Sequence, residues 1–303
     1  MNELLDQLVL RLALAFFICA MLFLFKLTHR FIYPPSRHQV SRKFWPSQND
    51  PDTIHLFSRI LGIGIIISGL QFHLEYNLLK TLLDVLCQSM ASFVFYLSMI
   101  YIIESIVLYN FEYYDEIIER RNIAYATICF SISVSSALVM NVILNESDGS
   151  LMNMFFMWLL ATVIIGIGTK TYSLLSRLPF NILVIQKNMG VAFSYAGFFL
   201  ALCLIISGAF SENNPNMIEY LLHVLLKILL ASIIFPVFRI GIVRVFSIQD
   251  DLRHGQEKLE SGKEMPNPSL GYGLYEGIIF IGGALLTSII LGRVDISKFY
   301  PPM

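Results

Sequence analysis

Three ionisable residues follow one another at helical spacing inside one of the most apolar stretches of this chain: Glu219, His223 and Lys227. Residues four apart lie on one face of a helix, so the three side chains form a polar stripe. Lys227 lies about nine residues, or roughly 14 Å, into its stretch, near the middle of a bilayer. An ionisable group at that depth costs about 2.5–3.5 kcal/mol and indicates a functional site. Pro236, later in the stretch, predicts a kink.

Other apolar stretches also contain ionisable residues. Asp84 occupies the position equivalent to His223 in an earlier stretch, and Arg11 lies one helical turn inside the first. The candidate intramembrane residues are Arg11, Asp84, Glu104, Glu219, His223, Lys227 and Glu276. They form either an aqueous or proton-coupled path, or structural ion pairs and hydrogen bonds between helices. In both cases we expect Lys227 to be satisfied inside the protein, with Asp84 as its partner.

The candidate intramembrane residues lie in or beside eight apolar stretches of the chain. Their approximate bounds are 4–32, 54–72, 78–109, 123–144, 151–175, 189–210, 218–242 and 271–291. Each holds enough apolar residues for a helix that crosses the hydrocarbon of a bilayer. Only 14% of the 303 residues are charged and 56% are hydrophobic, whereas soluble domains average about 25% charged residues. The sequence therefore predicts an all-α polytopic membrane protein with eight transmembrane helices.

Basic residues alternate between the connections of these stretches. Fifteen of the 21 lysines and arginines lie in or beside the first, third, fifth and seventh connections: Lys26, Arg30, Arg37, Arg42, Lys43, Arg120, Arg121, Lys170, Arg177, Lys187, Arg239, Arg244, Arg253, Lys258 and Lys263. The intervening connections are short and carry acidic residues instead. Because cytoplasmic loops are enriched in Lys and Arg, we expect these four connections in the cytoplasm and both chain ends outside.

The stretches also repeat in pairs. The first helix of each pair opens with two large apolar residues and then a polar one, at intervals of about 70 residues. The division is 1–77, 78–150, 151–216 and 217–303, of which the first and last hairpins are divergent. Two helices per unit give every unit the same orientation, so the repeats are parallel rather than inverted. Small residues in these helices predict close helix packing or a lined pore: Gly62, Gly64, Gly166, Gly168, Gly273, Gly277, Gly282 and Gly283.

A short signature opens the second helix of two repeats. It runs from Tyr114 to Ala126, with Arg121 and Asn122 at its centre, and recurs at Lys187 and Asn188. This signature resembles the YjfL family, bacterial inner-membrane proteins built from a two-helix repeat of unknown function. The resemblance implies a bacterial inner (plasma) membrane location and no activity. In a bacterium, the chain ends that the basic residues place outside would be periplasmic. In the first repeat Ile60 aligns with the signature Asn, and in the fourth Gly271 does.

No pattern in the chain indicates catalysis. HExxH, GxSxG, P-loop and GxGxxG motifs are missing, so we expect no enzyme and no cofactor or metal site. The four cysteines lie in apolar stretches without metal-ligand spacing and are expected to be small buried residues. A net charge of −1 excludes a basic nucleic-acid surface.

Two functional classes remain after these exclusions. The first is a membrane-embedded scaffold or subunit of a larger complex, with a membrane or cytoplasmic protein as partner. The second is a channel or transporter for small ions or solutes that uses Asp84, His223 and Lys227. The sequence leaves the oligomeric state open.

Overall fold

The structure, a computed structural model, describes residues 2–33, 46–70, 78–176, 178–210, 217–248, 256–258, 264–266 and 268–292. The α-helices in these ranges are α1 (Asn2–Ile32), α2 (Asp50–Ser68), α3 (Leu78–Val107), α4 (Ile123–Glu146), α5 (Leu151–Thr169), α6 (Tyr172–Leu175), α7 (Phe180–Ile185), α8 (Met189–Phe210), α9 (Met217–Val245) and α10 (Leu270–Leu291). A 3-10 turn (Pro46–Gln48) precedes α2, and a π-turn (Tyr114–Glu119) precedes α4. Two three-residue strands, β1 (Gln256–Lys258) and β2 (Glu264–Pro266), pair antiparallel before α10.

Seven of the described helices are long and apolar enough to cross a membrane. The prediction of an all-α polytopic membrane protein is therefore confirmed, with seven clear spans rather than eight. The remaining predicted stretch forms α2, whose 19 residues include Asp50, Asp52 and Arg59. Asp52 and Arg59 are each 2% exposed. Most of the charge that lowers the hydropathy of α2 is thus turned towards the protein.

Four helices form the core of the fold as a row: α2 packs on α4, α4 on α8, and α8 on α10. Each is the second helix of a predicted hairpin. Two-thirds (67%) of the apolar window is buried in α4 and in α8, against 17% in α1 and 28% in α9. The first helices, α1, α3, α5 and α9, therefore flank the row and expose apolar faces, as expected of a surface that meets lipid.

Helices α8 and α10 approach each other most closely, and glycine permits the approach. A Cβ added at Gly273 would lie 2.0 Å from the backbone oxygen of Gly190, and one at Gly197 would lie 2.2 Å from the Cα of Gly277. Membrane helices associate through this kind of backbone approach, since lipid supplies no hydrophobic drive between them. The packing role predicted for Gly273 and Gly277 is confirmed. It is wrong for Gly64 and Gly282, where an added Cβ would meet nothing within 4 Å.

Each helix of the central row begins with a side-chain cap. The cap oxygens accept hydrogen bonds from the backbone three residues on, at 3.1–3.2 Å: Asn49 from Asp52, Asn122 from Tyr125, Asn188 from Val191, and Ser269 from Tyr272. These caps satisfy backbone N–H groups that the first turn leaves unpaired. The caps also show how the four units align with one another, because each cap occupies the same position in its unit.

The register from the caps corrects the repeat alignment drawn from the sequence. Asn49, rather than Ile60, is the equivalent of Asn122 in the first repeat, and Ser269 rather than Gly271 in the fourth. The sequence alignment failed because it matched Arg59 to Arg121, whereas Arg59 lies inside α2. The capping Asn is therefore present three times. The fourfold division of the chain itself stays a prediction.

The three Asn caps also join neighbouring repeats. Their side-chain amides donate to a backbone oxygen in the connection before the next central helix: Asn49 to Ile117 at 3.1 Å, Asn122 to Val184 at 2.8 Å, and Asn188 to Pro268 at 3.1 Å. The starts of all four central helices consequently lie side by side, and these helices run parallel.

Candidate functional site

The first candidate centre is a buried ion pair between α2 and α3. The Nη2 of Arg59 donates to Oε1 of Glu104, and the side chains are 2% and 9% exposed. The Nη1 of Arg59 donates to the backbone oxygen of His55 at 2.8 Å and to the hydroxyl of Ser58 at 3.0 Å. The hydroxyl of Tyr33 donates to Oε2 of Glu104 at 2.7 Å. The carboxylate is thus held by a cation and a phenol from two other segments, as a charge in a low-dielectric interior requires.

Four aromatic rings form a cluster beside this pair. His29, Tyr33, His55 and Tyr113 lie with ring centroids 4.6–6.3 Å apart. The hydroxyl of Tyr113 donates to Oδ1 of Asp52 at 2.7 Å. The cluster therefore links α1, α2 and the connection before α4, at the end of the bundle where the central helices begin.

Burial sets the proton affinities of the groups at this end. It raises the pKa of the Tyr33 phenol well above its usual value, and the negative charge of Glu104 adds to the effect. Burial also raises the pKa of Tyr113, with a further contribution from Asp52. Burial raises the pKa of Asp52 above its usual 3.8, although the hydrogen bond from Tyr113 opposes the shift. Tyr33 and Tyr113 therefore remain protonated donors.

The side chain of Cys129 on α4 completes the first centre. One ligand atom each of His55, Glu104 and Cys129 lies within 4.8 Å of the others, and all three residues are buried. These side-chain types can hold a metal ion. The expectation of buried cysteines is confirmed for Cys129 and Cys203, and it is wrong for Cys19 and Cys87, which are exposed.

A second centre lies at the same end of the other half of the chain. Oε1 of Glu276 on α10 accepts from Nη2 of Arg239 on α9 at 3.0 Å. Its Oε2 accepts from the hydroxyl of Ser176 at 3.1 Å and from that of Ser194. Arg239 also donates to the backbone oxygen of Leu175 and lies 5.0 Å from the ring centroid of Phe280. Again one arginine and hydroxyl groups from other segments satisfy a carboxylate deep in the bundle.

The two centres use equivalent positions of the repeat. Counted from the helix caps, Cys129 and Glu276 share a position, since 129 − 122 and 276 − 269 are both 7. His55 and Ser194 share another, since 55 − 49 and 194 − 188 are both 6. The two halves therefore present different side chains at one architectural site. His and Cys occupy it in the first half, and Ser and Glu occupy it in the second.

Among the predicted intramembrane residues, the structure joins Glu104 and Glu276 to partners in this way. Lys227 is 0% exposed on α9 and His223 is 8% exposed on the same face, so Lys227 is buried inside the protein rather than exposed to lipid, as predicted. Which group satisfies its charge stays a prediction. Asp84 and Arg11 are exposed, on α3 and α1, and Glu219 is half-buried. The predicted Asp84–Lys227 pair is not among the ion pairs between described residues, because Asp84 faces outward.

The signature residues join two connections through hydrogen bonds. Arg121 and Lys187 are exposed and adopt positive φ values of 49° and 59°, directly before their capping Asn. The guanidinium of Arg120 donates to the backbone oxygen of Ile185, and Nζ of Lys187 donates to that of Arg120. Asn122 is 0% exposed and also donates to Oε2 of Glu116 at 2.6 Å.

Sequence reasoning missed Arg59 and Arg239 as partners of the two glutamates. The sequence places Arg239 in a basic connection, and the alignment of Ile60 with Asn122 sets Arg59 opposite Arg121 at the start of a helix. A signal was available: Glu104 and Glu276 are acids on the side of the membrane rich in basic residues, and each needs a cation at its own depth. Which arginine supplies it depends on the packing of distant helices, and one sequence does not contain that information.

A recess of about 450 Å³ opens beside the second centre. Its walls include Tyr109, Lys170, Phe180 and Asn181, and Tyr172 and Tyr195 form its inner side. The hydroxyl of Tyr172 shares a 2.8 Å hydrogen bond with that of Ser194, which in turn donates to Glu276. A continuous hydrogen-bonded path thus runs from the recess to the carboxylate.

Comparison with protein families gives one result. The model of the Domain of Unknown Function (DUF350) matches residues 3–144 and again residues 147–291. Each match contains one of the two buried centres and two of the four predicted hairpins. Comparisons with curated proteins and with solved structures give no significant match.

Proposed function

We propose that this chain, which belongs to the DUF350 family and carries two copies of its domain, is a non-catalytic subunit embedded in the bacterial inner membrane. It holds a larger membrane complex together as a scaffold. The proposed topology counts α2 as an eighth crossing. It places the starts of the four central helices in the cytoplasm and both chain ends in the periplasm, in line with the distribution of basic residues.

The observation that carries this proposal is the satisfaction of both membrane-buried glutamates. Glu104 accepts from Arg59 and Tyr33, and Glu276 accepts from Arg239 and two serines. A carboxylate whose oxygens are held by fixed donors from several helices joins those helices together. The two centres therefore support a rigid framework, as a scaffold requires.

Substitution of the second ion pair tests its structural role. Arg239→Met leaves a buried carboxylate without its cation and should lower stability by about 3 kcal/mol. Arg239→Met combined with Glu276→Leu should recover much of the protein level in membranes that either single change lowers. Arg244→Met is the matched control, because Arg244 lies on the same helix and is exposed. A double variant no more abundant than the worse single variant would contradict a structural pair.

A separate measurement tests the scaffold. The tagged chain should migrate in native membranes as a complex larger than the purified protein in the same detergent. It should also give no proton or cation flux above that of empty vesicles when it is reconstituted with a membrane potential. Migration as the isolated chain from native membranes would overturn the proposal.

The alternative is an ion or solute transporter, which specific observations favour. Lys227 and His223 are buried on one face of α9, the helix that contains Pro236. The recess also connects through Tyr172 and Ser194 to Glu276. Flux in the vesicle assay that Lys227→Met abolishes at unchanged protein level would select this function in place of the scaffold.

A further inference from the structure

The side chains around Cys129 fit a ligand that neither a scaffold nor a transporter accounts for. We propose that His55 and Cys129, with Glu104 beside them, form an intramembrane binding site for a monovalent thiophilic cation, Cu(I). The site lies between α2, α3 and α4 in the first half of the chain. It is independent of the function proposed above.

The geometry supplies the first support. The three ligand atoms lie within 4.8 Å of one another. Zinc bonds of about 2.0–2.1 Å to nitrogen and about 2.3 Å to sulfur show the range for such metals, so two opposed ligands span about 4.4 Å. The ligand atoms would have to move together by only a few tenths of an ångström to bind one ion. His55 is 1% exposed and Cys129 is 0% exposed, so the site is enclosed by the protein.

The second support for the site comes from two buried imidazole nitrogens. Nδ1 of His55 and Nε2 of His29 are buried and make no hydrogen bond within the described part of the chain. A buried polar atom without a partner costs about 1–3 kcal/mol. The two rings lie 5.8 Å apart between centroids. A metal ion bound through Nδ1 of His55 would give that nitrogen a partner.

The net charge of the buried site favours a monovalent metal ion over a divalent one. Without a metal, Glu104 and Arg59 cancel and the Cys129 thiol is neutral. Metal binding replaces the thiol proton: the S–H bond breaks, a metal–sulfur bond forms, and the proton leaves to water. A monovalent ion on the thiolate then keeps the cluster neutral, whereas a divalent ion leaves one net positive charge buried among helices. An uncompensated charge there is expensive. Thiolate ligands favour Cu(I) among biological metals, and imidazole also suits copper.

The second half of the chain has the same architectural site without ligands suited to Cu(I). Ser194 and Glu276 stand at the positions of His55 and Cys129, and neither supplies a soft ligand. Cys203 on α8 is as fully buried as Cys129, and the groups of described residues with metal-ligand geometry do not include it. Cys203 is therefore a matched control inside the same molecule.

Copper titration of the purified protein tests the proposal. The protein, reduced in detergent and with the exposed Cys19 and Cys87 replaced by serine, competes for Cu(I) against bicinchoninate. We expect one tightly bound Cu(I) per chain and one proton released. Cys129→Ser should weaken binding by more than about 100-fold, because changes to residues behind metal ligands alone cost 10–100-fold. Cys203→Ser should bind as the parent does.

Two results would overturn the proposal. One is equal Cu(I) affinity for the Cys129→Ser and Cys203→Ser proteins, and the other is tighter binding of Zn²⁺ than of Cu(I) by the parent. If Cys129→Ser does not fold, X-ray absorption of the copper-loaded parent decides. One sulfur and at least one nitrogen around copper would support the site, and a copper environment without sulfur would refute it.

Discussion

Asn122 offers the sharpest test of the fold, because one side chain makes three separable interactions. Its oxygen caps α4 through Tyr125, and its amide donates to Glu116 and to the backbone of Val184. The residue is 0% exposed. Asn122→Ala removes all three bonds, whereas Asn122→Ser keeps a hydroxyl able to cap and removes only the two donated ones.

The structure gives a magnitude for each change. A lost N-cap costs about 1 kcal/mol. A lost hydrogen bond to a charged group such as Glu116 costs about 1.5–3 kcal/mol, and a neutral one about 1 kcal/mol. We therefore expect Asn122→Ala to lower the free energy of unfolding by about 4 kcal/mol and Asn122→Ser by about 3 kcal/mol. Asn188→Ala removes a cap to Val191 and a hydrogen bond to the backbone oxygen of Pro268, and it should cost about 2 kcal/mol.

Reversible unfolding of the purified protein in mixed micelles, titrated with SDS, measures these differences. The order of stability should be parent, Asn188→Ala, Asn122→Ser and Asn122→Ala. If Asn122→Ser were within about 0.5 kcal/mol of the parent, the amide would contribute nothing beyond capping. The inference that these asparagines join neighbouring repeats would then be wrong.

Three further outcomes follow from particular residues. Gly273→Ala should separate α8 from α10 and lower thermal stability in detergent strongly, while Gly282→Ala, with open space around it, should leave the melting temperature unchanged. In a cysteine-free background, Asn145→Cys should react with an impermeant thiol reagent on intact cells and Ser173→Cys should not; the opposite pattern would invert the proposed topology. Because burial raises the pKa of Asp52, the folded state holds this proton more tightly, so stability should fall as pH rises from about 3.8 through the raised pKa. Asp52→Asn should remove that part of the pH dependence, and an unchanged profile would show that Asp52 is not responsible.

The helical membrane architecture could be predicted from the sequence because long apolar runs have one common solution in lipid. Lys227 was also placed correctly inside the protein, since its depth makes exposure to lipid costly. The partners of the buried charged residues were harder to predict. Asp84 shares a repeat position with His223, but the face of α3 that it occupies points outward, and equivalent position in a repeat does not imply contact.

The Arg59–Glu104 pair shows that contacts between distant residues are also hard to predict from the sequence. The two residues are 45 positions apart, and their contact depends on how α2 packs against α3 and α4. The positive charge of Arg59 suggested the start of a helix, and Asn49, ten residues earlier, carried the true signal for that start. A capping Asn followed by Pro51 at the first turn is visible in the sequence, so this part could have been predicted.

The direction in which the asparagine caps point has a consequence for how the chain is made. Each capping Asn reaches forward to the connection that precedes the next central helix, and to the segment translated soon after it. A hairpin leaving the ribosome therefore finds its acceptor in the very next stretch to be inserted. Assembly can proceed in the order of synthesis, one hairpin docking on the last. A ribosome stalled between α8 and α10 would then hold a nascent chain in which the first centre is already complete.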